Sequence, residues 1–226
     1  MVRGSPPRKE RSAETGTLFE VDCDVLYFER CAREAGSCRI AGLDEAGRGP
    51  LAGPVVAAAV VLPEGLLLPG VTDSKKLTPR QREKLYDVIT AGAVDYGIGT
   101  ADERTIDEVN ILQATIIAME RALQAIVPPP DYLLIDALTL PRTNLLQKAI
   151  IRGDCRSHSI AAASILAKVF RDRLMERLHE RYPQYNFQRH KGYGTKEHLD
   201  LIRKHGPCDA HRRSFEPVAS MLREAK

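Results

Sequence analysis

The sequence contains no tryptophan, few aromatic residues and no apolar run long enough to span a membrane. Its longest apolar stretch, residues 55–62, is followed by Pro63 and Glu64 and is far shorter than the ~20 residues that a membrane-spanning helix needs. Residues 1–16 are polar and contain a charge cluster in place of the apolar segment of a secretory signal. We therefore expect a cytoplasmic protein without a membrane segment, in which residues 1–16 form a disordered leader.

The cysteines lack any pattern that would indicate a structural role. Their number is odd and no Cys-x-x-Cys pair occurs, so the sequence supports neither a disulfide framework nor a zinc ribbon. They are Cys23, Cys31, Cys38, Cys155 and Cys208. We expect all of them to be reduced thiols.

The net charge of +3 is too small to establish a nucleic-acid partner, but the distribution of charge is more informative. Residues 189–213 contain seven lysines or arginines and four of the six histidines, against three acidic residues. We expect this segment to form a basic surface that fits phosphate backbones. Lone cations on or near predicted helices, including Lys75, Lys168 and Arg171, could reach phosphate, but we expect them on solvated faces.

Two periodicities alternate along the chain and predict its fold class. Apolar runs typical of strands cover residues 39–43, 54–62, 93–100, 131–136 and 147–152, and helical patterns cover residues 18–35, 78–90, 106–126 and 160–181. We predict an α/β fold, a mixed β-sheet flanked by helices, because a helix between strands favours a parallel crossover. Residues 17–38 should form an N-terminal helical segment, residues 39–185 the core, and residues 186–226 a C-terminal helical extension with short helices after Lys196.

Two local patterns make more specific predictions. Thr78 and Gln81 can form a capping box at the start of the helix over residues 78–90. In the strand over residues 93–100, Val94, Tyr96 and Ile98 share one side, which we expect to be the apolar side of a half-buried strand.

Acidic residues stand at the ends of two predicted strands. Asp44 and Glu45 follow the first strand, and Asp136 ends the strand over residues 131–136. Adjacent carboxylates are costly there unless they are solvated or bound to cations, and a sheet that aligned the two strand ends would bring all three together. A solvated turn explains Asp44 and Glu45 equally well, and Asp136 alone is more often a loop residue or a helix cap.

Asp154 is a fourth candidate, shortly before the helix over residues 160–181. At this position Asp154, Ser157 or Ser159 could equally serve as the helix N-cap. Four carboxylates without paired Cys or His ligands would form an oxygen-rich site that prefers Mg²⁺ or Mn²⁺ to zinc. Two such ions, ~4 Å apart, can hold one phosphate for hydrolysis of a phosphodiester bond.

Two glycine-containing segments could contact a sugar-phosphate strand. Gly47, Arg48 and Gly49 offer close backbone approach and one cation beside the carboxylates. Tyr193, which two glycines flank, could stack on a sugar or base from within the basic segment. A simple turn and a loop tyrosine beside a helix start are the alternative interpretations.

The motifs occur in the order GLDEAGRGPLAGPVVAAAVVLP, DSKKLT, LLIDAL, RGD followed by SIAAASILAKVFRDR, YP and HKGYGT. In this order and spacing they resemble the bacterial ribonuclease HII family over about residues 39–207. The resemblance implies a ribonuclease H-like sheet with a helical, substrate-binding C-terminal extension. It also implies that the catalytic, metal-binding acids are Asp44, Glu45, Asp136 and Asp154.

The resemblance further implies a substrate. Gly47, Arg48 and Gly49 would read the 2′-hydroxyl of a ribonucleotide, and Tyr193 would pack on the deoxyribose across an RNA–DNA junction. A family member hydrolyses the RNA strand of RNA/DNA hybrids and nicks 5′ of ribonucleotides embedded in duplex DNA, leaving 3′-hydroxyl and 5′-phosphate ends. We therefore expect Mn²⁺ or Mg²⁺ as cofactor, such nucleic acids as partners, a role in ribonucleotide and primer removal, and a monomer.

Three alternatives make different predictions. A ribonuclease HIII would carry a substantial N-terminal substrate-binding domain. Only about 38 residues precede the first predicted strand, which we consider too few for such a domain. A transposase- or integrase-like strand-transfer domain would need a separate DNA-end-binding domain. A nucleic-acid-binding module without catalysis would be unaffected by replacement of Asp44 or Asp136 with asparagine.

Overall fold

The computed structural model describes residues 24–224, so the predicted leader, Cys23 and the first part of the predicted N-terminal helix lie outside the described residues. The strands are β1 (Ile40–Ala46), β2 (Val55–Val61), β3 (Asp95–Ala101), β4 (Tyr132–Asp136) and β5 (Leu146–Ile150). The helices are α1 (Tyr27–Glu34), α2 (Pro79–Gly92), α3 (Glu103–Gln124), α4 (His158–Arg181), α5 (Phe187–His190), α6 (Lys196–His205) and α7 (Val218–Glu224). Among residues 24–224, no helix is both long and apolar enough to cross a membrane.

The five strands form one mixed sheet in the order β3-β2-β1-β4-β5. β1 is antiparallel to β2 and β2 to β3, whereas β4 is parallel to β1 and β5 to β4. The predicted α/β fold with a mixed sheet is confirmed. Since β1 and β4 run parallel, their carboxyl ends lie at the same edge of the sheet, and Leu43 pairs with Ile135 in the register. The residues that follow these two, Asp44 and Asp136, are therefore side by side.

Helices cover both faces of the sheet, and its central strands are buried on both sides. On one face α3 packs in an apolar cluster that includes Leu43 and Ala57. On the other face α2 and α4 pack in a cluster that includes Val56 and Ala58. Alternate residues of β2 enter different cores, which explains why the whole strand is apolar.

β3 differs from its prediction, because its fully buried side is not the one with large apolar side chains. Gly97 and Gly99 face α3 so closely that a Cβ atom at either would lie 2.0 Å from a carbonyl oxygen of that helix. Val94 and Tyr96 are 55% and 37% exposed, and only Ile98 of the predicted side packs against a core. The two glycines thus allow α3 to pack closely on β3. A search for strands by their apolar side chains does not detect this kind of packing.

The helix starts show which local predictions hold. The capping box is confirmed: Thr78 Oγ1 accepts the N–H of Gln81 at 3.3 Å, and the Gln81 side chain accepts the N–H of Thr78 at 2.8 Å. Within the described residues α1 begins only at Tyr27, later than predicted. α3 contains an unpredicted break at Asn110, where φ is 70° and the side-chain Oδ1 accepts two N–H groups of the following turn.

The C-terminal segment packs against the loop between β1 and β2. Ala52 of this loop and Met175 of α4 share an apolar cluster with residues 185–210, and the N–H of Leu51 donates to the carbonyl of Gly192 at 2.8 Å. The helices predicted after Lys196 are α6 and α7, whereas α5 has no counterpart among the predictions. Residues after α4 therefore share one packed unit with the loop that follows the first acidic pair.

Candidate active site

Asp44 and Glu45 lie near the carboxyl end of β1, in the middle of the sheet between β2 and β4. Asp44 is buried, and its Oδ1 accepts the N–H of Glu45 at 2.7 Å. Burial, followed by the charges of Glu45 and Asp136, raises the pKa of Asp44 well above its usual value, while a hydrogen bond from Ser164 opposes the rise. The fold therefore holds this carboxylate against a strong electrostatic cost.

Asp136 ends β4 next to Asp44, as the alignment of strand ends predicts. Its Oδ1 accepts the N–H of Gly153 at 2.7 Å. Burial raises the pKa of Asp136, the Gly153 hydrogen bond lowers it, and the charge of Asp154 raises it again. The hydrogen bond ties the turn that carries Asp154 to the end of β4.

Asp154 lies in a 3₁₀ turn, Gly153–Cys155, just before α4. The N-cap of α4 is Ser157, whose Oγ accepts the N–H of Ile160 at 3.3 Å, so Asp154 does not cap this helix. Asp154 is 6% exposed, and the Nζ atom of Lys75 lies 3.5 Å from its carboxylate. Lys75, expected on a solvated face, keeps most of its surface exposed but reaches the acidic cluster with its ammonium group.

The four acidic residues form one cluster in which each charge acts on the next. The charge of Asp136 raises the pKa of both Asp44 and Glu45, and that of Asp154 raises the pKa of Asp136. Glu45 Oε2 is buried and has no hydrogen-bond partner within residues 24–224. Crowded carboxylate oxygens, one of them without a partner, fit a hard divalent cation.

Asp73 is a candidate that the sequence analysis missed. One ligand atom from each of Asp73, Asp154 and Cys155 lies within 4.8 Å of the others. The carboxylate of Asp73 also accepts the N–H of Lys75 at 2.9 Å. The sequence feature that could have identified Asp73 as a site residue is its position at the start of the DSKKLT motif. Burial raises the pKa of the Cys155 thiol, and the four cysteines within the described residues are free, as expected.

The Gly47–Gly49 turn begins directly after β1. Gly47 has a φ of 97°, and a Cβ atom there would lie 2.0 Å from the Nε of Arg171, so this position requires glycine. The Nη1 of Arg48 lies 3.3 Å from the Oε1 of Glu45. Burial raises the pKa of Glu45, and this ion pair opposes the rise without cancelling it. The turn is thus joined to the acidic cluster through one cation.

Tyr193 lies next to the same turn, beside Gly49. A Cβ atom at Gly49 would be 3.8 Å from the Cε1 of Tyr193, so the ring borders the turn. Tyr193 is 46% exposed and can therefore contact a ligand. The structure brings together all eight predicted site residues: the turn contacts the acidic cluster through Arg48 and borders Tyr193 at Gly49.

The expectation for Arg171 is wrong, and the expected basic surface lacks three of its four histidines. Arg171 is fully buried and donates to main-chain carbonyls instead of facing solvent. Of the four histidines in residues 189–213, His190, His198 and His211 are buried, so they add nothing to a basic surface. From the sequence alone, Arg171 and these histidines are expected at the surface, because composition does not show which charged groups are buried.

The buried histidines form a hydrogen-bonded chain that ends on the Tyr193 loop. The Nδ1–H of His198 donates to the carbonyl of Tyr193 at 2.9 Å, and its Nε2 lies 3.1 Å from the Nε2 of His211. The Nδ1 of His211 accepts the N–H of Cys208 at 3.0 Å, so His211 donates from Nε2 and both rings are neutral. Burial lowers the pKa of His198 and of His211 to about 4.

A mixed sheet flanked by helices, with an acidic cluster where β1 and β4 end together, defines the ribonuclease H-like class of metal-dependent hydrolases. The family model described as Ribonuclease HII matches residues 41–218. Ribonuclease HII of Geobacillus kaustophilus is 54% identical over 203 residues, which cover 90% of this chain and 78% of that protein. For ribonuclease HII of Geotalea uraniireducens the identity is 54% over 199 residues, with 88% and 92% covered. This chain belongs to the ribonuclease HII family and is a ribonuclease, which excludes the strand-transfer and non-enzymatic alternatives.

Solved structures share the fold. The ribonuclease H2 from Pyrococcus horikoshii OT3 superposes with a TM-score of 0.70 at 29% identity, covering 83% of this chain and 98% of that one. Bst-RNase HIII in complex with Mn²⁺ superposes with a TM-score of 0.60 over 86% of this chain and 72% of that one, and at 19% identity it supports the fold alone. The ribonuclease H-like sheet with a helical C-terminal portion is confirmed.

Proposed function

We propose that this ribonuclease hydrolyses the RNA strand of RNA/DNA hybrids and nicks duplex DNA on the 5′ side of embedded ribonucleotides. The ion pair between Arg48 of the glycine turn and Glu45 of the acidic cluster, at 3.3 Å, is the observation that carries the proposal. Through this ion pair, the Gly47–Gly49 turn, which is suited to contact a sugar, lies next to the acidic cluster, which is suited to phosphodiester hydrolysis. The products would carry 3′-hydroxyl and 5′-phosphate ends.

Asp44, Glu45, Asp136 and Asp154 would hold two divalent ions, Mn²⁺ or Mg²⁺, since all four are carboxylates and one oxygen of Glu45 is buried without a partner. When bound, such ions activate water and neutralise charge on the phosphate. The chain contributes the placement of the carboxylates. Two lie on one buried strand, the third on the parallel neighbour, and the fourth on a turn tied to that neighbour by the Gly153 N–H.

The glycine turn would recognise the ribose. Within residues 24–224, the main-chain N–H groups of Arg48 and Gly49 donate to no main-chain carbonyl and are available to a ligand. A 2′-hydroxyl could accept from them, whereas a deoxyribose would leave them unpaired at a cost of about 1–3 kcal/mol. The exposed ring of Tyr193 would pack on the deoxyribose of the adjoining nucleotide.

The remaining assignments follow from this activity. The partner would be an RNA/DNA hybrid or a duplex that contains ribonucleotides, and the role would be ribonucleotide and RNA-primer removal in the cytoplasm. Residues 39–185 would supply catalysis, and residues 186–226, which include Tyr193, would supply substrate contacts. The protein would act as a monomer.

Duplexes of one sequence, with a single ribonucleotide, a run of ribonucleotides or none, test the proposal. In Mg²⁺ or Mn²⁺ we expect cleavage 5′ of the ribonucleotide, a product end that DNA ligase accepts, and no cleavage of the all-DNA duplex. Asp44→Asn should reduce cleavage roughly a thousandfold, whereas Asp87→Asn, at an exposed carboxylate of α2, should leave cleavage unchanged. Equal cleavage of both duplexes, or cleavage in excess chelator, would contradict the proposal.

A further inference from the structure

Arg212 is a buried cation that binds the glycine turn from within the protein. Its Nη2 donates to the carbonyl of Gly47 at 2.6 Å, and its Nη1 donates to the carbonyl of Arg48 at 2.9 Å. The Nε and Nη2 atoms also donate to the carbonyl of Gly53, at 3.0 and 2.8 Å. The four hydrogen bonds go to three main-chain carbonyls of the loop between β1 and β2, and the side chain is 0% exposed.

Burial of this guanidinium carries a free-energy cost that the charges of Glu103 and Asp107 offset only in part, and none of its hydrogen bonds within residues 24–224 goes to a carboxylate. Burial, with a smaller effect of Arg171, lowers the pKa of Arg212 to about 9. The ring of Phe215 lies 5.0 Å from the guanidinium carbon and supports its plane. An apolar residue of similar size would avoid the desolvation cost, so the benefit of arginine lies in its rigid fork of donors.

The two carbonyls that Arg212 binds in the turn belong to particular peptide units. The carbonyl of Gly47 and the N–H of Arg48 lie in one rigid plane, as do the carbonyl of Arg48 and the N–H of Gly49. In a trans peptide the two groups point in opposite directions, so fixing the carbonyl toward the interior fixes the N–H away from it. These are the two N–H groups that donate to no main-chain carbonyl within the described residues.

We propose that Arg212 is a positioning residue for ribose recognition, which holds the peptide units of the Gly47–Gly49 turn so that two N–H groups face the 2′-oxygen of the substrate. The proposal rests on the proposed function of the turn. Arg212 touches no substrate because it is buried behind the turn. Its effect is on selectivity for ribose, and the acidic cluster does not depend on it for any hydrogen bond in the described residues.

The test measures binding in the cleavage-deficient Asp44→Asn protein, with Ca²⁺ and at fixed salt. Fluorescence anisotropy gives Kd for a duplex with one ribonucleotide and for the matching all-DNA duplex. The readout is the Kd for the all-DNA duplex divided by the Kd for the ribonucleotide duplex. Arg212→Lys keeps the charge but loses the fork, and we expect the ratio to fall about tenfold. Arg121→Lys is the matched control, since Arg121 also donates to a main-chain carbonyl, that of Thr100, away from the turn.

A general loss of structure would weaken binding to both duplexes alike and leave the ratio unchanged. Phe215→Leu is a milder second variant, which removes the supporting ring but keeps the arginine, and it should lower the ratio by a smaller factor. If Arg212→Lys does not fold, the result for Phe215→Leu decides. An unchanged ratio in the folded variants overturns the role of Arg212, whereas a parent protein that does not prefer the ribonucleotide duplex overturns the proposed function itself.

Discussion

The Nδ1–H of His198 donates a hydrogen bond to the main-chain carbonyl of Tyr193 at 2.9 Å. This leaves the Nε2 of His198 to accept from the Nε2–H of His211 at 3.1 Å. Protonation of either ring would place two N–H groups face to face. The position of an exposed tyrosine therefore depends on two buried histidines that stay neutral.

From the buried, neutral pair of His198 and His211 we predict that the protein becomes less stable in mild acid. His198 and His211 have pKa values of about 4 in the fold, against 6.5 for an unperturbed histidine, so the unfolded chain binds more protons between these values. The free energy of unfolding should be highest above pH 6.5 and decrease toward pH 4, by up to about 1.4 kcal/mol per pH unit for each histidine. Urea unfolding at a series of pH values measures this slope.

Two variants separate this effect from other titrations. His198→Asn keeps a donor for the Tyr193 carbonyl but does not titrate, so the slope between pH 5 and 6.5 should decrease. His205→Asn removes an exposed histidine of α6 and should leave the slope unchanged. The titratable groups in contact with the pair are His190, Cys208 and Tyr185. Equal slopes in both variants would show that His198 is not responsible.

Asp44→Asn should have opposite effects on activity and on stability without metal. It removes a buried charge repelled by Glu45 and Asp136, so the Tm in chelator should rise. Added Mn²⁺ should raise the Tm of the native protein, because binding to the folded state stabilises it, and should raise that of the variant less. Cleavage should fall roughly a thousandfold, the effect of losing several kcal/mol of metal-assisted stabilisation. An identical Mn²⁺ shift in both proteins would remove Asp44 from the metal site.

Arg48→Ala should weaken discrimination more than turnover. The substitution removes the cation of the turn and its pair with Glu45 but leaves the four acids in place. In the Asp44→Asn background with Ca²⁺, we expect the ratio of Kd for the all-DNA duplex to Kd for the ribonucleotide duplex to fall about tenfold, equivalent to about 1.4 kcal/mol. Arg142→Ala, which breaks the exposed pair with Glu120 elsewhere, is the control. A loss of kcat with an unchanged ratio would instead assign Arg48 to chemistry.

Replacement of Tyr193 should distinguish its ring from its hydroxyl. If the ring packs on a sugar, Tyr193→Phe should behave as the native protein, and Tyr193→Ala should raise KM by an amount equivalent to about 1–3 kcal/mol. Steady-state kinetics on the single-ribonucleotide duplex supply the comparison. A large loss in the phenylalanine variant would show that the hydroxyl makes the essential contact.

Gly42→Ala should destabilise the fold strongly, although alanine is only one methyl group larger. A Cβ atom at Gly42 would lie 2.2 Å from the carbonyl carbon of Ser159, so β1 and α4 would have to separate. Overpacking of this kind costs about 1–3 kcal/mol. Gly92→Ala is the matched control, since its Cβ would meet only two leucine side chains, at 3.4 and 3.7 Å. Thermal unfolding of the two variants side by side tests the difference.

The sequence predicts the parts of this protein that depend on local pattern. Asp44, Glu45 and Asp136 follow apolar strands, so a parallel arrangement of those strands was enough to bring them together. The capping box at Thr78 could also be predicted from local pattern, because its two partners, Thr78 and Gln81, lie within four residues of the sequence.

The missed features depend on contacts between distant segments. Arg171 has the composition of a solvated helix face, and only its partners, 20 and more than 100 residues away, show that it is buried. Gly97 and Gly99 bury the side of β3 that has no large side chains, because α3 approaches the strand there. Asp73 joins the acidic cluster from a 3₁₀ turn, an element without periodicity.

The hydrogen bond from Arg212 to Gly47 spans 165 residues. Chains are synthesised from the N-terminus, so every acid of the cluster and Tyr193 leave the ribosome before Arg212 does. The glycine turn is synthesised among the first fifty residues. Its peptide units can form their hydrogen bonds with Arg212 only after nearly the whole chain has been made. In the order of biosynthesis, the four acids that we propose to bind metal therefore precede the arginine that we propose to position the ribose-binding turn.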